Sequence, residues 1–72
     1  MAETRLQCLS PESAQTVATG WDLPDQNHRA RAEGSAVVLD YIDKRYPLHV
    51  ADWAFGNGHA EDSAAAALIG GL

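Results

Sequence analysis

The segment Ser35–Tyr46, SAVVLDYIDKRY, decides how the rest of the chain is interpreted. Its apolar residues recur at spacings of three and four, and its charged residues do not alternate with them. This spacing favours an amphipathic helix with one face in the core. The core face would carry Val38, Leu39, Ile42 and Tyr46. The run AVVLDYI is also β-capable because it is rich in β-branched and aromatic residues, so a strand is the alternative.

The helix predicted over this segment extends toward the N-terminus to about Gln26 and ends before Pro47. Its first half is weak, because Asn27, His28 and Gly34 are poor helix formers. We expect this central helix, about residues 26–46, to be the element against which the others pack.

A shorter helix is predicted to precede it. Ser10 is a favourable N-cap, Pro11 suits the first helical position and Glu12 complements the positive end of the helix dipole. This helix should run from Pro11 to Thr19, and Gly20 is a typical C-terminal stop. Residues 1–9 are either helical or an extended arm.

Two further helices are predicted after Pro47. The first spans about Leu48 to Phe55, although an alternating strand over the same residues is also compatible with the sequence. Residues 56–58, Gly-Asn-Gly, form a turn. The last helix begins near His59, contains the alanine run and ends at residues 70–71.

These elements predict an all-α fold: a single small helical domain over residues 1–72, with three or four short helices packed around the central one. A chain of 72 residues buries only about 60% of its unfolded surface, so one small core must supply the stability. The chain begins with Met and shows no fusion segment, so we expect a complete small open reading frame.

Charge and composition exclude several classes of function. Ten acidic residues against five basic ones give a net charge of −5, and the basic residues are not clustered. Direct binding to nucleic acid is therefore not expected. The N-terminus lacks the apolar region of a signal peptide, and no apolar run would span a membrane. Cys8 is the only cysteine, which fits the reducing cytoplasm.

The sequence carries no recognisable catalytic, cofactor or metal motif. Its histidines, His28, His49 and His59, do not lie at metal-ligand spacing from one another or from Cys8. No Gly-x-Ser-x-Gly motif is present, and acidic residues follow the Gly-Asn-Gly turn, where they would repel a phosphate. We therefore expect no enzymatic activity, no cofactor and no metal.

The remaining expectation is a small acidic protein that binds a larger protein or nucleoprotein. Acidic side chains would meet a basic surface, and aromatic side chains near the glycine turn would anchor the contact. The predicted partner-binding residues are Asp40, Tyr41, Asp43, Trp53, Phe55, Glu61 and Asp62. The size and charge are typical of phage- or mobile-element-encoded inhibitors such as anti-CRISPR proteins. The alternatives are an accessory subunit docked through apolar contacts and a self-associating helical module.

Overall fold

The structure is a computed structural model that describes residues 2–72; Met1, the first residue of the predicted arm, lies outside them. The described chain forms an antiparallel sheet and three α-helices, so the fold is α+β and the all-α prediction is wrong. The elements are β1 (Ala2–Gln7), α1 (Pro11–Trp21), β2 (Arg29–Glu33), β3 (Ala36–Tyr41), α2 (Arg45–Gly56) and α3 (Asp62–Gly70). A short 3₁₀ turn, Pro24–Gln26, separates α1 from β2.

The predicted central helix is instead a hairpin, and its second strand, β3, is the middle strand of the sheet. The strand order is β1-β3-β2, with β3 antiparallel to both neighbours. Val37, Val38 and Leu39 are all fully buried, although helices cover only one face of this strand. A continuous apolar run is typical of such a strand, and it also mimics helical spacing over this length.

The two strands of the hairpin are joined by Gly34 and Ser35. Glu33 pairs with Ala36, which leaves a two-residue loop. Gly34 has a φ of +61°, which fits the first position of a type II′ turn and is favourable only for glycine. The loop therefore reverses the chain inside the segment predicted as the central helix.

The helices cover one face of the sheet, and the other face is polar. Side chains of Leu6, Val37 and Leu39 point into the core with the helices. On the opposite face, Val38 lies directly between Arg5 and Arg31 of the two edge strands. The aliphatic stems of these arginines explain how Val38 is buried on a face that carries no helix.

The predicted helices outside the hairpin are present, with different bounds. The start of α1 is confirmed: Ser10 is its N-cap, and its hydroxyl accepts a hydrogen bond from the N–H of Ser13 at 3.1 Å. Gly20 lies inside α1, so the predicted stop is wrong. The segment from Leu48 to Phe55 is helical, which rules out its strand alternative, and it belongs to the longer helix α2. Residues 2–7 are extended as an integral strand of the sheet.

Candidate functional site

The structure separates the predicted partner-binding residues into four places. Tyr41 is only 6% exposed and belongs to the core. Asp40 lies on the polar face of the sheet, and Asp43 lies in the loop before α2. The remaining residues, Trp53, Phe55, Glu61 and Asp62, lie in α2, in α3 or in the segment between them. Asp40 and Asp43, both expected within the predicted central helix, therefore do not share one element.

Asp40 belongs to a neutralised network on the polar face of the sheet. Its carboxylate accepts a hydrogen bond from Arg31 at 3.2 Å. Arg31 also contacts Glu33 at 3.2 Å, and Glu33 pairs with Arg5 at 3.1 Å. The arginine hydrogen bonds, chiefly from Arg5, lower the pKa of Glu33. Because its positive and negative side chains are paired, this face of the sheet presents little net charge to a partner.

Asp43 has a structural role at the start of α2. It accepts hydrogen bonds from the side chain of Arg45 at 2.7 Å and from the Arg45 backbone N–H at 2.9 Å. The guanidinium hydrogen bond, followed by that of the backbone N–H, lowers the pKa of Asp43 from 3.8 to about 2. The Asp43 carboxylate is therefore already hydrogen-bonded to Arg45, two residues further along the chain.

The variant Arg45→Gln should raise the pKa of Asp43 from about 2 toward 3.8, because it removes the main hydrogen bond to the carboxylate. Since the folded pKa is the lower one, the pair stabilises the fold above pH 3.8, and this contribution disappears as the pH falls through about 2. Carboxyl ¹³C shifts followed by NMR titration measure the change. Lys44→Gln is the matched control, because Lys44 forms no ion pair within residues 2–72. An equal shift in both variants would contradict the assignment.

The beginning of α1 and the turn between α2 and α3 meet at one end of the molecule. The N–H of Leu9 donates to the carbonyl of His59 at 3.0 Å. The Nδ1 atom of His59 lies 3.2 Å from the hydroxyl of Ser13, and its ring stacks on Trp53 with the centroids 5.5 Å apart. These contacts join segments that are about fifty residues apart in the sequence.

Exposed apolar and acidic side chains are brought together there. Leu9 is 54% exposed and Phe55 is 47% exposed, although both are large and apolar. Exposed carboxylates lie in the first turn of α1 and at the start of α3, next in the sequence to the segments that meet there, and none forms an ion pair with a cation of residues 2–72. We call this surface the acidic end; it consists of Leu9, Glu12, Phe55, Glu61 and Asp62.

A shallow groove of about 340 Å³ crosses the acidic end between β1 and α3. Its lining residues are Gln7, Cys8, Leu9, Glu61, Ser63 and Ala64. Burial raises the pKa of the Cys8 thiol, and its sulfur lies 3.9 Å from the carbonyl of Leu6. A protonated, buried thiol is a poor nucleophile, so the groove offers contact area and no reactive group.

An aromatic row links α1 to α2 across the helical layer. Trp21 contacts Tyr46 and Trp53 edge to face, with centroids 6.2 and 6.1 Å apart. His28 stacks on the outer side of Tyr46 at 4.4 Å, and His59 stacks on Trp53. The partial burial of Trp53 is explained by this packing, so within the predicted site Phe55 is the more accessible aromatic residue.

A second cleft, of about 230 Å³, lies at the opposite end of the molecule. It brings His28, His49 and Asp43 to one rim, a combination that the sequence spacing did not indicate. Within the described residues, no group of three or more His, Cys, Asp or Glu side chains is close enough to hold a metal ion.

Comparison of the chain with known protein families, curated proteins and solved structures finds no match. No helix formed by residues 2–72 has both the length and the apolar character needed to cross a bilayer.

Proposed function

We propose that the chain is a non-enzymatic protein that binds a basic surface of a larger protein or nucleoprotein through its acidic end. The observation that carries the proposal is the contact between the first turn of α1 and the α2–α3 turn. It brings together the segments that carry the exposed apolar side chains of Leu9 and Phe55 and carboxylates without cation partners in the described chain, and Leu9 and Glu61 line the same groove.

The distribution of ion pairs supports this assignment. Every arginine of the chain lies within ion-pair distance of a carboxylate. The carboxylates that form no ion pair within residues 2–72 are those of Glu12, Asp25, Asp52, Glu61 and Asp62. They all lie in the helices or in their connections, and none lies on the sheet. The excess negative charge behind the net charge of −5 is therefore carried by the helices and their connections.

Each part of the acidic end would have a separate role in binding. Phe55 and Leu9 supply apolar area that a partner can desolvate, which is the usual source of affinity at the centre of an interface. The surrounding carboxylates accelerate encounter with a basic surface and disfavour acidic partners. Binding of this type weakens as salt is raised, because exposed charges are screened.

The most specific form of the proposal is an inhibitor of the phage or mobile-element type, which would occupy a basic nucleic-acid channel of its target. Carboxylates can replace phosphates as counter-charges for the lysine and arginine residues of such a channel. The proposal places the chain in the cytoplasm, where the single thiol of Cys8 stays reduced.

Affinity capture with matched variants tests the proposal. The double variant Phe55→Ser/Glu61→Gln removes one apolar and one acidic side chain from the acidic end. The control Ile42→Ser/Asp25→Asn removes one apolar and one acidic side chain outside the acidic end. Ile42 is 63% exposed and directly follows the last residue of β3. Each tagged protein is used as bait in a lysate of the organism that encodes it, at low and high salt, with quantitative mass spectrometry.

We expect a basic protein or nucleoprotein to be captured by the wild type and the control, and to be reduced about tenfold or more with the Phe55→Ser/Glu61→Gln bait. High salt should reduce the same species. Capture that is equal for all baits and insensitive to salt would overturn the proposal, and an intact thermal melt of each variant shows that the fold is retained.

A further inference from the structure

The outer edge of strand β1 carries a row of backbone groups without partners among residues 2–72. The N–H of Cys8 donates to the carbonyl of Ser35 at 2.8 Å, which continues the ladder between β1 and β3. Backbone groups of successive strand residues point to opposite sides. The even-numbered residues of β1 therefore face β3, whereas the N–H and C=O groups of Glu3, Arg5 and Gln7 face outward.

The other edge of the sheet is protected at its beginning. The carboxylate of Asp22 accepts a hydrogen bond from the outward N–H of Ala30 at 3.1 Å and another from Arg29 at 2.8 Å. An isolated antiparallel β-bridge pairs Leu23 with His28 just before β2 begins. Such devices limit pairing of an edge strand with another chain, and β1 has none within the described residues.

We propose that β1 pairs antiparallel with β1 of a second copy of this chain, around a two-fold axis that passes midway between the two Thr4 residues. In this register Glu3 of each copy lies opposite Arg5 of the other, and Thr4 lies opposite Thr4. The outward groups of Glu3 and Arg5 then form the hydrogen-bonded pairs of a continuous sheet. Opposite charges directly across an antiparallel pair are stabilising, and the two-fold axis repeats the pair.

The charge pattern selects this register over those in which the axis lies one or two residues further along the chain. A shift that moves the two-fold axis to Arg5 would place the two Arg5 side chains directly opposite each other, which is destabilising. A further shift, with the axis at Leu6, pairs Arg5 with Gln7 and leaves only a short overlap. The sequence Glu3-Thr4-Arg5 is therefore self-complementary about its middle residue.

The side chains involved are able to form the new pairs. The Glu3 carboxylate lies 3.8 Å from Arg31, beyond hydrogen-bond distance, so it makes no short charge-assisted bond within the described chain. Arg5 is bound to Glu33 at 3.1 Å, but a guanidinium has five N–H donors and can hold two carboxylates. Each Arg5 can thus bridge its own Glu33 and Glu3 of the second copy.

Helix α3 adds apolar surface next to the same edge. Among the strands it packs mainly against β1. The axis between the two Thr4 residues places both copies of α3 on the same side of the extended sheet. Ala66, Ala67 and Ile69 are exposed on α3, and Ile69 is 47% exposed. Small residues on a helix allow a second helix to approach closely. An exposed apolar face of this kind fits α3 of a second copy better than it fits a charged partner.

Sedimentation equilibrium from micromolar to millimolar concentrations tests the assembly. We expect a monomer–dimer equilibrium that Arg5→Glu weakens by about tenfold or more, since two attractive pairs become repulsive. The swapped variant Glu3→Arg/Arg5→Glu should restore dimerisation, because the pairs reform with exchanged signs. The substitutions at Glu3 and Arg5 also alter the ion pairs that these residues form with Arg31 and Glu33 within one chain. Circular dichroism melts of each variant at low concentration therefore show whether the fold is retained.

Amide hydrogen exchange locates the contact. The amides of Glu3 and Arg5 should exchange fast in dilute protein and become at least about tenfold slower in concentrated protein. The amide of Ala32, which points outward on the β2 edge, is the internal control and should stay fast. A chain that stays monomeric at millimolar concentration, or a dimer in which Glu3 and Arg5 remain fast, would overturn the proposal. Phe55 and Glu61, the residues changed in the capture experiment, take no part in the pairing of β1, so the two proposals can fail separately.

Discussion

Leu39→Ala should lower the free energy of unfolding by about 2–5 kcal/mol and the melting temperature by roughly 10–30 °C. Leu39 is fully buried in the middle strand, opposite Thr4 on one side and Ala30 on the other. Truncation removes its buried methyl groups and leaves a cavity among neighbours that cannot collapse without moving the sheet. Small domains of this size are stable by only a few kcal/mol, so much of the variant should be unfolded at room temperature.

Urea unfolding followed by circular dichroism measures the loss, and Ile42→Ala is the control. Ile42 is 63% exposed, so its truncation should change the stability by no more than about 0.5 kcal/mol. The helix predicted from the sequence placed Leu39 and Ile42 on the same core face. Similar losses for the two variants would therefore favour that helix over the strand.

The hairpin was missed because two periodicities coincide over a short segment. From Ala36 to Tyr41 the side chains alternate between the polar face and the core face of the sheet. The alternation is hidden because Val38, on the polar face, is as apolar as its neighbours. Its burial depends on Arg5 and Arg31 of two other strands, and this tertiary contact is not visible in the local sequence.

A local signal for the hairpin was nevertheless present. The segment Arg29–Glu33 alternates charged residues with alanine, and a Gly-Ser pair separates it from the next apolar run. Gly-Ser between two alternating runs is a known signature of a two-residue hairpin. Alanine, arginine and glutamate are all good helix formers, so intrinsic propensity favoured the wrong element. The helix α1 was predictable because its cap and first turn are encoded by adjacent residues, Ser10 to Glu12.

The candidate site was predictable in part. Phe55 was expected to contact a partner because it lies beside the glycine turn, and Glu61 and Asp62 because they are acidic. All three belong to the acidic end. Leu9 and Glu12 were not expected there, because their proximity depends on the backbone hydrogen bond from Leu9 to His59. Whether this surface binds a partner stays a prediction until the capture experiment is done.

Tyr46→Phe should lower the free energy of unfolding by roughly 1–2 kcal/mol at neutral pH. The Tyr46 hydroxyl donates a hydrogen bond to the backbone carbonyl of Trp21, the last residue of α1. The tyrosine is almost fully buried, so without the hydroxyl this carbonyl loses its donor in a place that water enters poorly. The rings of the aromatic row keep their positions in the variant, which isolates the effect of the hydrogen bond.

The same hydroxyl should make the fold sensitive to alkali. Burial, followed by the negative charges of Asp22 and Asp40, raises the pKa of Tyr46 from 10.0 to about 12. Between these values the unfolded chain loses the proton while the folded chain keeps it, so the stability falls as the pH rises through this range. The contribution is complete below pH 10 and disappears near pH 12.

Denaturant titrations of the wild type and Tyr46→Phe across this pH range measure the effect. The wild type should lose about 2 kcal/mol more than the variant, because phenylalanine has no proton to release. The two stabilities should therefore converge or cross as the pH approaches 12. Parallel decline of the two proteins would contradict the buried hydroxyl and its bond to Trp21, and with it the contact that ties the end of α1 to the start of α2.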